Sequence, residues 1–166
     1  RVEYFPWSGD FAPARNAALD FCKGDWILVL DADETLCAHC IPELQELIKT
    51  KDVLLVNLLR YEKDSTMSPY SSVSRLFRRH SSIRWRRPYH SIIDDSVDLI
   101  LKKEPFWKIV DCVEPALIHD GYRPDILKNK GKAERLRIAM EVWLAKYPGD
   151  PYACAKLRAL EIIAQV

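Results

Sequence analysis

The sequence predicts an α/β fold followed by a helical C-terminal segment. Two helix-like stretches each lead into an apolar run, at residues 26–30 and 53–59. From residue 125 onward the apolar residues recur with helical spacing, and a cluster of proline and glycine interrupts them once. Helices that alternate with buried strands are typical of a sheet covered by helices.

The composition fits a soluble globular protein of one domain, or of one domain with a small appendage. Of the 166 residues, 48% are hydrophobic and 30% are charged, and the net charge of +1 argues against general nucleic-acid binding. No apolar stretch approaches the ~20 residues of a membrane span and no signal-peptide pattern is present, so we expect a cytoplasmic protein without a transmembrane segment. Five cysteines, with Cys22 and Cys112 among apolar neighbours, fit reduced thiols.

The first helix is expected to begin after Asp10, which is a plausible N-cap, and to end at Gly24. Its apolar positions recur at three and four residues: Ala14, Ala17, Ala18, Phe21 and Cys22. Residues 26–30 are uniformly apolar, which predicts a strand buried on both faces, as central parallel strands are. A second helix is expected at residues 41–49, before the strand at 53–59.

This order of elements is αβαβ without an opening strand. A parallel strand needs neighbours, and two strands alone would leave long bare edges. We therefore expect the chain to be an N-terminally truncated part of a larger polypeptide.

Residues 61–119 show shorter strand-like runs that predict hairpins, at 72–78, 83–90, 97–102 and 116–119. This stretch is also the most basic one, with Arg75, Arg78, Arg79, Arg84, Arg86 and Arg87. Together with Trp85 and Tyr89, the arginines fit a binding patch for RNA, phosphates or sugars. They fit a solvated strand face equally well, and both interpretations stay open.

The C-terminal part predicts two helices, at residues 125–146 and 152–166, joined by the turn Tyr-Pro-Gly-Asp-Pro at 147–151. The segment YPGDPYACAKLRAL resembles the junction between tetratricopeptide repeats. A protein partner, or self-association through this helical tail, is therefore one expectation.

The acidic cluster Asp31-Ala32-Asp33-Glu34 directly follows the apolar run at 26–30. Open α/β sheets bind ligands outside the carboxyl ends of their strands, and a divalent cation is the natural counter-charge for clustered carboxylates. Asp31 and Asp33 would point to the same side of an extended backbone. The alternative is that Asp31 begins a turn and Asp33 and Glu34 cap the next helix.

Cys37 and Cys40, with His39 between them, form a Cys-x-x-Cys pattern of the kind found in zinc sites and redox sites. One such pattern without a second ligand pair is weak evidence, and a turn into the following helix explains it as well.

The run DFAPARNAALDFCKGDWILVLDADETL resembles the inverting glycosyltransferases of the GT-A fold, particularly bacterial family-two-like enzymes fused to tetratricopeptide repeats. The likeness continues in order through Arg75-Leu76-Phe77-Arg78, Tyr89-His90 and the IHDGY segment at 118–122. It implies a partial GT-A domain of αβα architecture over residues 1–122, and a helical, tetratricopeptide-like segment over residues 123–166.

The resemblance also implies a nucleoside diphosphate sugar donor and a Mg²⁺ or Mn²⁺ ion that neutralises the leaving diphosphate. By the family pattern, Asp33 would ligate the metal, and Asp31 would lie near the nucleotide ribose or in the metal shell. His119 would be the third ligand, and Arg15 would approach the phosphates or sugar of the donor. Without the resemblance, His119 is expected to be a core or turn histidine, and Arg15 is expected to form an ordinary surface ion pair.

Inversion at the anomeric carbon requires a carboxylate base. Many relatives have glutamate after the Tyr-His pair, whereas this chain has Ser91. Asp94 and Asp95 are the displaced candidates for the base, and both are equally compatible with a turn.

The acceptor, whether glycan, lipid or peptide, is not specified by the sequence. A noncatalytic scaffold or protein-interaction module derived from a glycosyltransferase remains the main alternative. An RNA- or phosphate-binding module based on the arginine-rich stretch is a third one.

Overall fold

The computed structural model describes residues 2–65, 68–120 and 131–164. The chain divides into two compact units. The first, called here the sheet unit, comprises Cys22–Ile83 and Asp94–Lys128, and the second, the helical unit, comprises Arg1–Phe21, Arg84–Ile93 and Asn129–Val166. The predicted domain boundary between residues 122 and 123 lies outside the described residues and stays a prediction.

The described residues of the sheet unit form a mixed sheet of five strands in the order β1-β4-β3-β5-β2. The strands are β1 (Trp26–Leu28), β2 (Glu34–Leu36), β3 (Val53–Glu62), β4 (Tyr70–Arg78) and β5 (Lys108–His119). β3 and β5 are parallel to each other, and the other neighbouring pairs are antiparallel. The parallel pair places the carboxyl ends of β3 and β5 at the same edge of the sheet.

The long strand β3 forms the centre of this sheet. Leu54, Val56 and Leu58 have no measurable exposure, because β3 has a strand on either side and apolar side chains packed over it. Helix α2 (Ile41–Leu47) contributes Leu44 to the same core, which also includes Leu76, Cys112 and Leu117. The apolar content of residues 53–59 therefore predicted this strand correctly.

Strand β1 differs from its prediction as a central parallel strand. It lies at one edge of the sheet, pairs with β4 in antiparallel register, and leaves Leu28 39% exposed. An apolar run indicates buried faces, but it carries no information on the number or direction of neighbouring strands. The prediction of a buried parallel strand was therefore wrong in topology.

Two of the predicted short strands are also wrong. Residues 97–102 belong to helix α3 (Asp94–Lys103), in the sheet unit. Residues 83–90 form no regular strand and contain only an isolated bridge between Arg86 and Ile92. Residues 97–102 are short and largely apolar, and such runs do not distinguish the periods of helix and strand. Residues 83–90 contain Pro88, and Arg87 and His90 have positive φ angles, which interrupt an extended strand.

The helical unit contains α1 (Phe11–Phe21), α4 (Gly131–Lys146) and α5 (Pro151–Ala164). Asp10 caps α1 as predicted, because its carboxylate accepts a hydrogen bond of 2.8 Å from the backbone N–H of Ala12. α4 and α5 pack through Leu136, Met140 and Ala153. The predicted helical residues 125–130 and 165–166 lie outside the described part of the chain.

None of the helices in the described ranges combines the length and the apolar character needed to cross a membrane.

Candidate functional site

The acidic cluster that follows β1 forms a turn closed by two reciprocal hydrogen bonds. The backbone N–H of Glu34 donates to the carbonyl of Asp31 at 3.0 Å, and the backbone N–H of Asp31 donates to the Glu34 carboxylate at 2.9 Å. The alternative expectation of a turn at Asp31 is therefore correct. Glu34, however, opens strand β2 and caps no helix.

Three strand ends meet next to this turn. His119, the last residue of β5, pairs with Glu34 of β2 on one side and with Glu62 of β3 on the other. Glu62 and His119 are the carboxyl-terminal residues of two parallel strands, which is where open α/β sheets bind ligands. The sheet topology, and not sequence proximity, brings these residues together.

The side chain of Glu34 is completely buried and is held by two arginines. It accepts hydrogen bonds from Arg60 at 2.6 Å and from Arg75 at 2.9 Å. Arg75 also forms an ion pair with Asp31, whose side chain is 37% exposed. The cost of burying the Glu34 carboxylate is thus offset by two opposite charges.

Glu62 continues the chain of contacts. Its side chain accepts from Arg60 at 2.7 Å and from the Ser71 hydroxyl, and it lies 2.6 Å from His119 Nδ1. Burial raises the pKa of Glu62, but the hydrogen bonds from Ser71 and His119 and the charge of Arg60 outweigh it, so the pKa lies below its ordinary value. Glu62 is therefore an ionised hydrogen-bond acceptor at neutral pH.

His119 links this buried chain to Asp33. Its Nε2 lies 3.3 Å from Asp33 Oδ2, and the backbone N–H of Asp120 donates to the carbonyl of Asp33 at 3.0 Å. The Asp33 carboxylate is 42% exposed, so this end of the chain faces solvent. Asp33 and His119 therefore lie next to each other, and their assignment as metal ligands stays a prediction.

We refer to this connected set as the ion-pair network: Asp31, Asp33, Glu34, Arg60, Glu62, Ser71, Arg75 and His119. Sequence reasoning named Asp31, Asp33 and His119 as site residues, Glu34 as a helix cap and Arg75 as part of the arginine-rich stretch. It missed Arg60, Glu62 and Ser71. The sequence did contain a signal for Arg60 and Glu62. Charged residues at positions i and i+2 end an otherwise apolar strand, and such residues share one face.

The ion-pair network carries excess negative charge. It contains four carboxylates and two guanidinium groups, which leaves two negative charges when His119 is neutral. The two carboxylates with substantial exposure, those of Asp31 and Asp33, lie at its two ends. A divalent cation would balance this charge.

The residues present fit a metal ion that has few protein ligands. Within the described ranges, no group of three or more His, Cys, Asp or Glu side chains is arranged to hold a metal. Asp33 and His119 lie together, whereas the predicted third ligand, Asp31, is paired with Arg75. Mg²⁺ is commonly held by one or two carboxylates together with substrate phosphates and water, so the exposed carboxylate of Asp33 is compatible with it.

One buried donor next to the acidic turn has no partner among the described residues. The Nε of Arg75 is fully enclosed, and no acceptor reaches it there. A buried guanidinium N–H without an acceptor is costly, and a bound oxygen would satisfy it.

Arg15 lies in the helical unit, where its guanidinium group stacks on the ring of Trp85 at 4.7 Å from the centroid. Trp85 is also linked to helix α1, because its backbone N–H donates a hydrogen bond of 2.8 Å to the side-chain oxygen of Asn16. The proposed contact of Arg15 with a donor phosphate stays a prediction.

The base candidates Asp94 and Asp95 lie in the first turn of α3, which excludes the alternative that they belong to a turn. Asp94 is 3.3 Å from the Ser74 hydroxyl, and its second carboxylate oxygen is buried without a hydrogen-bond partner among the described residues. Ser91 donates to the carbonyl of Arg87 at 2.6 Å. The Ser91 hydroxyl is thus engaged in a local backbone contact.

Most arginines of the arginine-rich stretch form hydrogen bonds or ion pairs within their own unit. In the sheet unit, Arg78 donates to the carbonyls of Thr50 and Val53, and Arg79 donates to that of Gly24. In the helical unit, Arg84 pairs with Asp20, and Arg87 pairs with Asp150. These contacts explain the abundance of arginine without a nucleic-acid ligand.

The Cys-x-x-Cys segment forms a short 3-10 helix, Ala38–Cys40, that leads into α2. The turn interpretation is therefore correct. All five cysteines are free thiols, and burial is the main reason that the pKa of Cys40 is raised and that of Cys112 reaches about 11. Such thiols are poor nucleophiles and poor metal ligands at neutral pH.

A cavity of about 500 Å³ lies within the helical unit, between residues 7–10, the Pro88 loop and one face of α4. Three aromatic side chains, from Trp7, Tyr89 and Trp143, share its lining with Arg135 and Lys146. Aromatic rings and cations together suit a ligand that has an apolar face and a negative charge.

Comparison with known proteins agrees with the predicted resemblance. A TPR repeat-containing protein of Synechococcus elongatus is 44% identical over 154 residues, which cover 93% of this chain and 38% of that protein. The glycosyltransferase SunS of Bacillus subtilis, described as SPbeta prophage-derived, is 23% identical over 152 residues, as is SunS of Bacillus phage SPbeta. The chain spans only 34% of the length of either SunS protein.

The model of the family described as glycosyl transferase family 2 matches residues 1–110, about two thirds of the chain. The mixed sheet of the sheet unit and the C-terminal helices agree with the predicted α/β, GT-A-type fold class. On this match, the chain belongs to glycosyl transferase family 2.

Proposed function

We propose that this protein transfers a sugar from a nucleoside diphosphate sugar to an acceptor, with inversion and with the help of Mg²⁺ or Mn²⁺. Family membership supports a glycosyltransferase. The observation that carries the metal dependence is the pair of Asp33 and His119 at the exposed end of a network with two excess negative charges. The acceptor is left as a glycan, a lipid or a peptide.

In this proposal, Asp33 and His119 hold the metal ion. When bound, the ion supplies positive charge that stabilises the leaving diphosphate. Asp31 stays paired with Arg75 and faces the ribose or the metal shell. Arg15 contributes a cation to the donor phosphates or sugar.

An inverting transfer also needs a base that removes the proton from the acceptor hydroxyl. We assign this role to Asp94 or Asp95. Asp94 is favoured by its partly buried carboxylate, one oxygen of which lacks a hydrogen bond among the described residues. A serine hydroxyl is not a base near neutral pH, and that of Ser91 already donates to a backbone carbonyl.

The metal role is tested by titrating Mn²⁺ and a panel of nucleotide sugars against the wild type and Asp33→Ala. We expect Asp33→Ala to lose metal-dependent donor binding, because one of two protein ligands is removed and the excess negative charge is halved. Calorimetry measures both the metal and the donor affinity.

The matched control is Asp52→Asn, which removes one carboxylate charge at the opposite end of β3. Asp52 pairs with Lys108 at the surface, immediately before the first residue of the strand. It should retain wild-type affinities. Equal Mn²⁺-dependent donor binding by wild type and Asp33→Ala would refute the assignment of the metal to Asp33.

A noncatalytic interaction module is the second candidate function. It is favoured by Ser91, which stands where the resemblance to glycosyltransferases implies glutamate, and by the TPR name of the Synechococcus relative. The cavity of the helical unit would then be the binding surface. This function predicts that neither transfer nor hydrolysis of any nucleotide sugar is detected, with or without Mn²⁺.

A further inference from the structure

We propose that the cavity of the helical unit binds an extended peptide segment that has an apolar centre and a carboxylate at each end. Such binding does not depend on sugar transfer, so it applies to a transferase and to a noncatalytic interaction module alike. Its basis is an apolar lining that has one unpaired cation at each end.

Helix α4 has two different faces. One face packs against α5 through Leu136 and Met140. The other lines the cavity with positions that recur at three and four residues, as expected for a single helix face: 135, 138, 139, 142, 143 and 146. Ile138 and Val142 are 48% and 67% exposed, so this apolar stripe of α4 is open to solvent where it borders the cavity.

Aromatic rings complete the apolar part of the lining. Trp7 and Tyr89 border the cavity, and both rings contact Phe11 edge-on, with centroids 4.7 and 5.1 Å away. Phe11 is fixed in turn, because its backbone N–H donates a hydrogen bond of 3.0 Å to the carbonyl of Pro88. Rings held in this way present a rigid surface to a ligand at a low cost in conformational entropy. An apolar or aromatic side chain therefore suits the centre of the cavity.

The two cations in the lining, Arg135 and Lys146, form no ion pair with any described residue. Arg135 donates through Nε to the carbonyl of Gly131 at 3.0 Å, and the Lys146 ammonium lies 5.3 Å from the centre of the Tyr147 ring. Neither contact neutralises the positive charge. A ligand with carboxylates would supply the missing counter-charges.

Other charged groups nearby are already engaged. Arg137, on a part of α4 that does not line the cavity, pairs with Glu134 and Glu141. Asp10 does belong to the lining, but its carboxylate caps helix α1 by accepting from the backbone N–H of Ala12. With Asp10 counted, the two cations leave the lining with a net charge of +1.

The distance between the two cations decides the kind of ligand. Arg135 and Lys146 are eleven positions apart, which corresponds to about 16 Å along the helix. Arg135 turns toward Gly131 at one end of α4 and Lys146 toward Tyr147 at the other, so a single phosphate or carboxylate group does not reach both. An extended peptide covers about 16 Å in five residues, so two glutamates with this spacing can pair with both cations.

The test measures peptide binding to the complete chain without nucleotide sugar or metal. The acidic peptide is acetyl-Gly-Glu-Ala-Leu-Tyr-Ala-Glu-Gly-amide, and the basic peptide has lysine in place of both glutamates. Both carry the same neutral fluorescent label, and fluorescence anisotropy gives the dissociation constants. We expect the wild type to bind the acidic peptide at least about 10-fold more tightly than the basic one, with a smaller preference at high salt.

A third peptide tests the apolar centre. It keeps both glutamates but has serine in place of leucine and tyrosine. We expect its dissociation constant to be at least about 10-fold higher than that of the acidic peptide, because the burial of two apolar side chains is lost. Equal affinities of these two peptides would contradict an apolar binding site.

Variants of the two cations locate the binding. Arg135→Gln and Lys146→Gln should each raise the dissociation constant of the acidic peptide about 2–5-fold. Both side chains are exposed, so both variants should fold, which circular dichroism checks. Arg137→Gln is the matched control, because it removes a positive charge from the same helix outside the cavity, and it should bind like the wild type. The double variant Arg135→Glu with Lys146→Glu should prefer the basic peptide.

Several results would overturn the proposal. Equal affinity of the wild type for the acidic and basic peptides, or no binding of either, would exclude charge complementarity. An unchanged preference in the double variant, or equal effects of Arg135→Gln and Arg137→Gln, would locate the binding outside the cavity. A wild type that dimerises in analytical ultracentrifugation, together with a double variant that stays monomeric, would assign the cavity to a second copy of the chain.

Discussion

At the scale of single residues, the main electrostatic feature of the sheet unit is the buried charge of Glu34. Its carboxylate is completely buried and receives hydrogen bonds from both Arg60 and Arg75. It also accepts from the backbone N–H of Asp31, so it closes the acidic turn. A buried ion pair adds little net stability, but removing one partner leaves uncompensated charges in a low-dielectric environment.

Glu34→Ala should therefore destabilise the protein strongly. Two guanidinium groups lose their shared acceptor, and the turn at Asp31 loses one hydrogen bond. We expect the free energy of unfolding to fall by about 3–5 kcal/mol, measured by urea denaturation.

The control for Glu34 is Glu46→Ala on helix α2. Glu46 pairs with Lys49, but the side chains of both are mostly exposed, and exposed pairs contribute little. The free energy of unfolding should be nearly unchanged in this variant. Comparable losses in the two variants would contradict a special role for the buried carboxylate.

The sequence predicted part of this site. Asp33 belongs to the acidic cluster that follows the apolar run at 26–30, whereas His119 was singled out by the resemblance to glycosyltransferases and not by its spacing. Arg60 and Glu62 were missed because their partners lie on other strands, and register is set by the packed sheet. The pairing of Arg60 with Glu34 and of Glu62 with His119 leaves no local pattern beyond the two charged residues that end the apolar strand.

At the scale of elements, helix α3 shows which signal was overlooked. Residues 97–102 read as a short apolar run, yet Asp94 and Asp95 stand in the first turn and Lys102 and Lys103 in the last. Acidic residues at the start and basic residues at the end stabilise a helix through its dipole. This charge arrangement, taken together with the three-residue spacing of the buried Val97 and Ile100, identifies a helix.

The junction between α4 and α5 depends on Asp150. Its carboxylate accepts from the backbone N–H of Ala153 at 3.1 Å, from the Trp143 indole at 3.0 Å and from Arg87 at 2.9 Å. Burial raises the pKa of Asp150, but these three donors together lower it below its ordinary value of 3.8. The charged form therefore stabilises the folded helical unit.

Asp150→Asn should lower the melting temperature at pH 7, because a helix cap and an ion pair are weakened. A depressed folded-state pKa gives stability that is fully present above the unfolded value and is lost as pH falls through the folded value. The difference in melting temperature between wild type and variant should therefore shrink below about pH 4. Thermal melts from pH 7 down to pH 3 measure it.

A difference between wild type and Asp150→Asn that stays constant over this range would show that the carboxylate charge is not involved. Glu141→Gln on α4 serves as a comparison, because Glu141 has an exposed partner in Arg137. Its melting temperature should follow the wild type at every pH.

At the scale of the whole molecule, the two units are not consecutive stretches of chain. The helical unit is assembled from residues 1–21, 84–93 and 129–166, and the sheet unit from the two stretches between them. Local periodicity predicted most of the helices and strands, but it cannot show that α1 and α4 belong to one unit. The predicted split into residues 1–122 and 123–166 followed from the resemblance to glycosyltransferases fused to tetratricopeptide repeats, and it assigns α1 and α4 to different domains.

A chain of residues 1–122 distinguishes the two descriptions. It lacks α4 and α5, so Arg87 loses Asp150, and Tyr89 loses the cluster formed by Leu136 and Met140. It keeps every described residue of the sheet unit, including the ion-pair network. In hydrogen exchange, we expect the amides of β3 to stay protected as in the complete chain, while those of α1 exchange much faster. Equal protection of α1 in both chains would show that residues 1–122 form an independent domain, and loss of protection in β3 would show that the sheet unit does not hold together without the C-terminal helices.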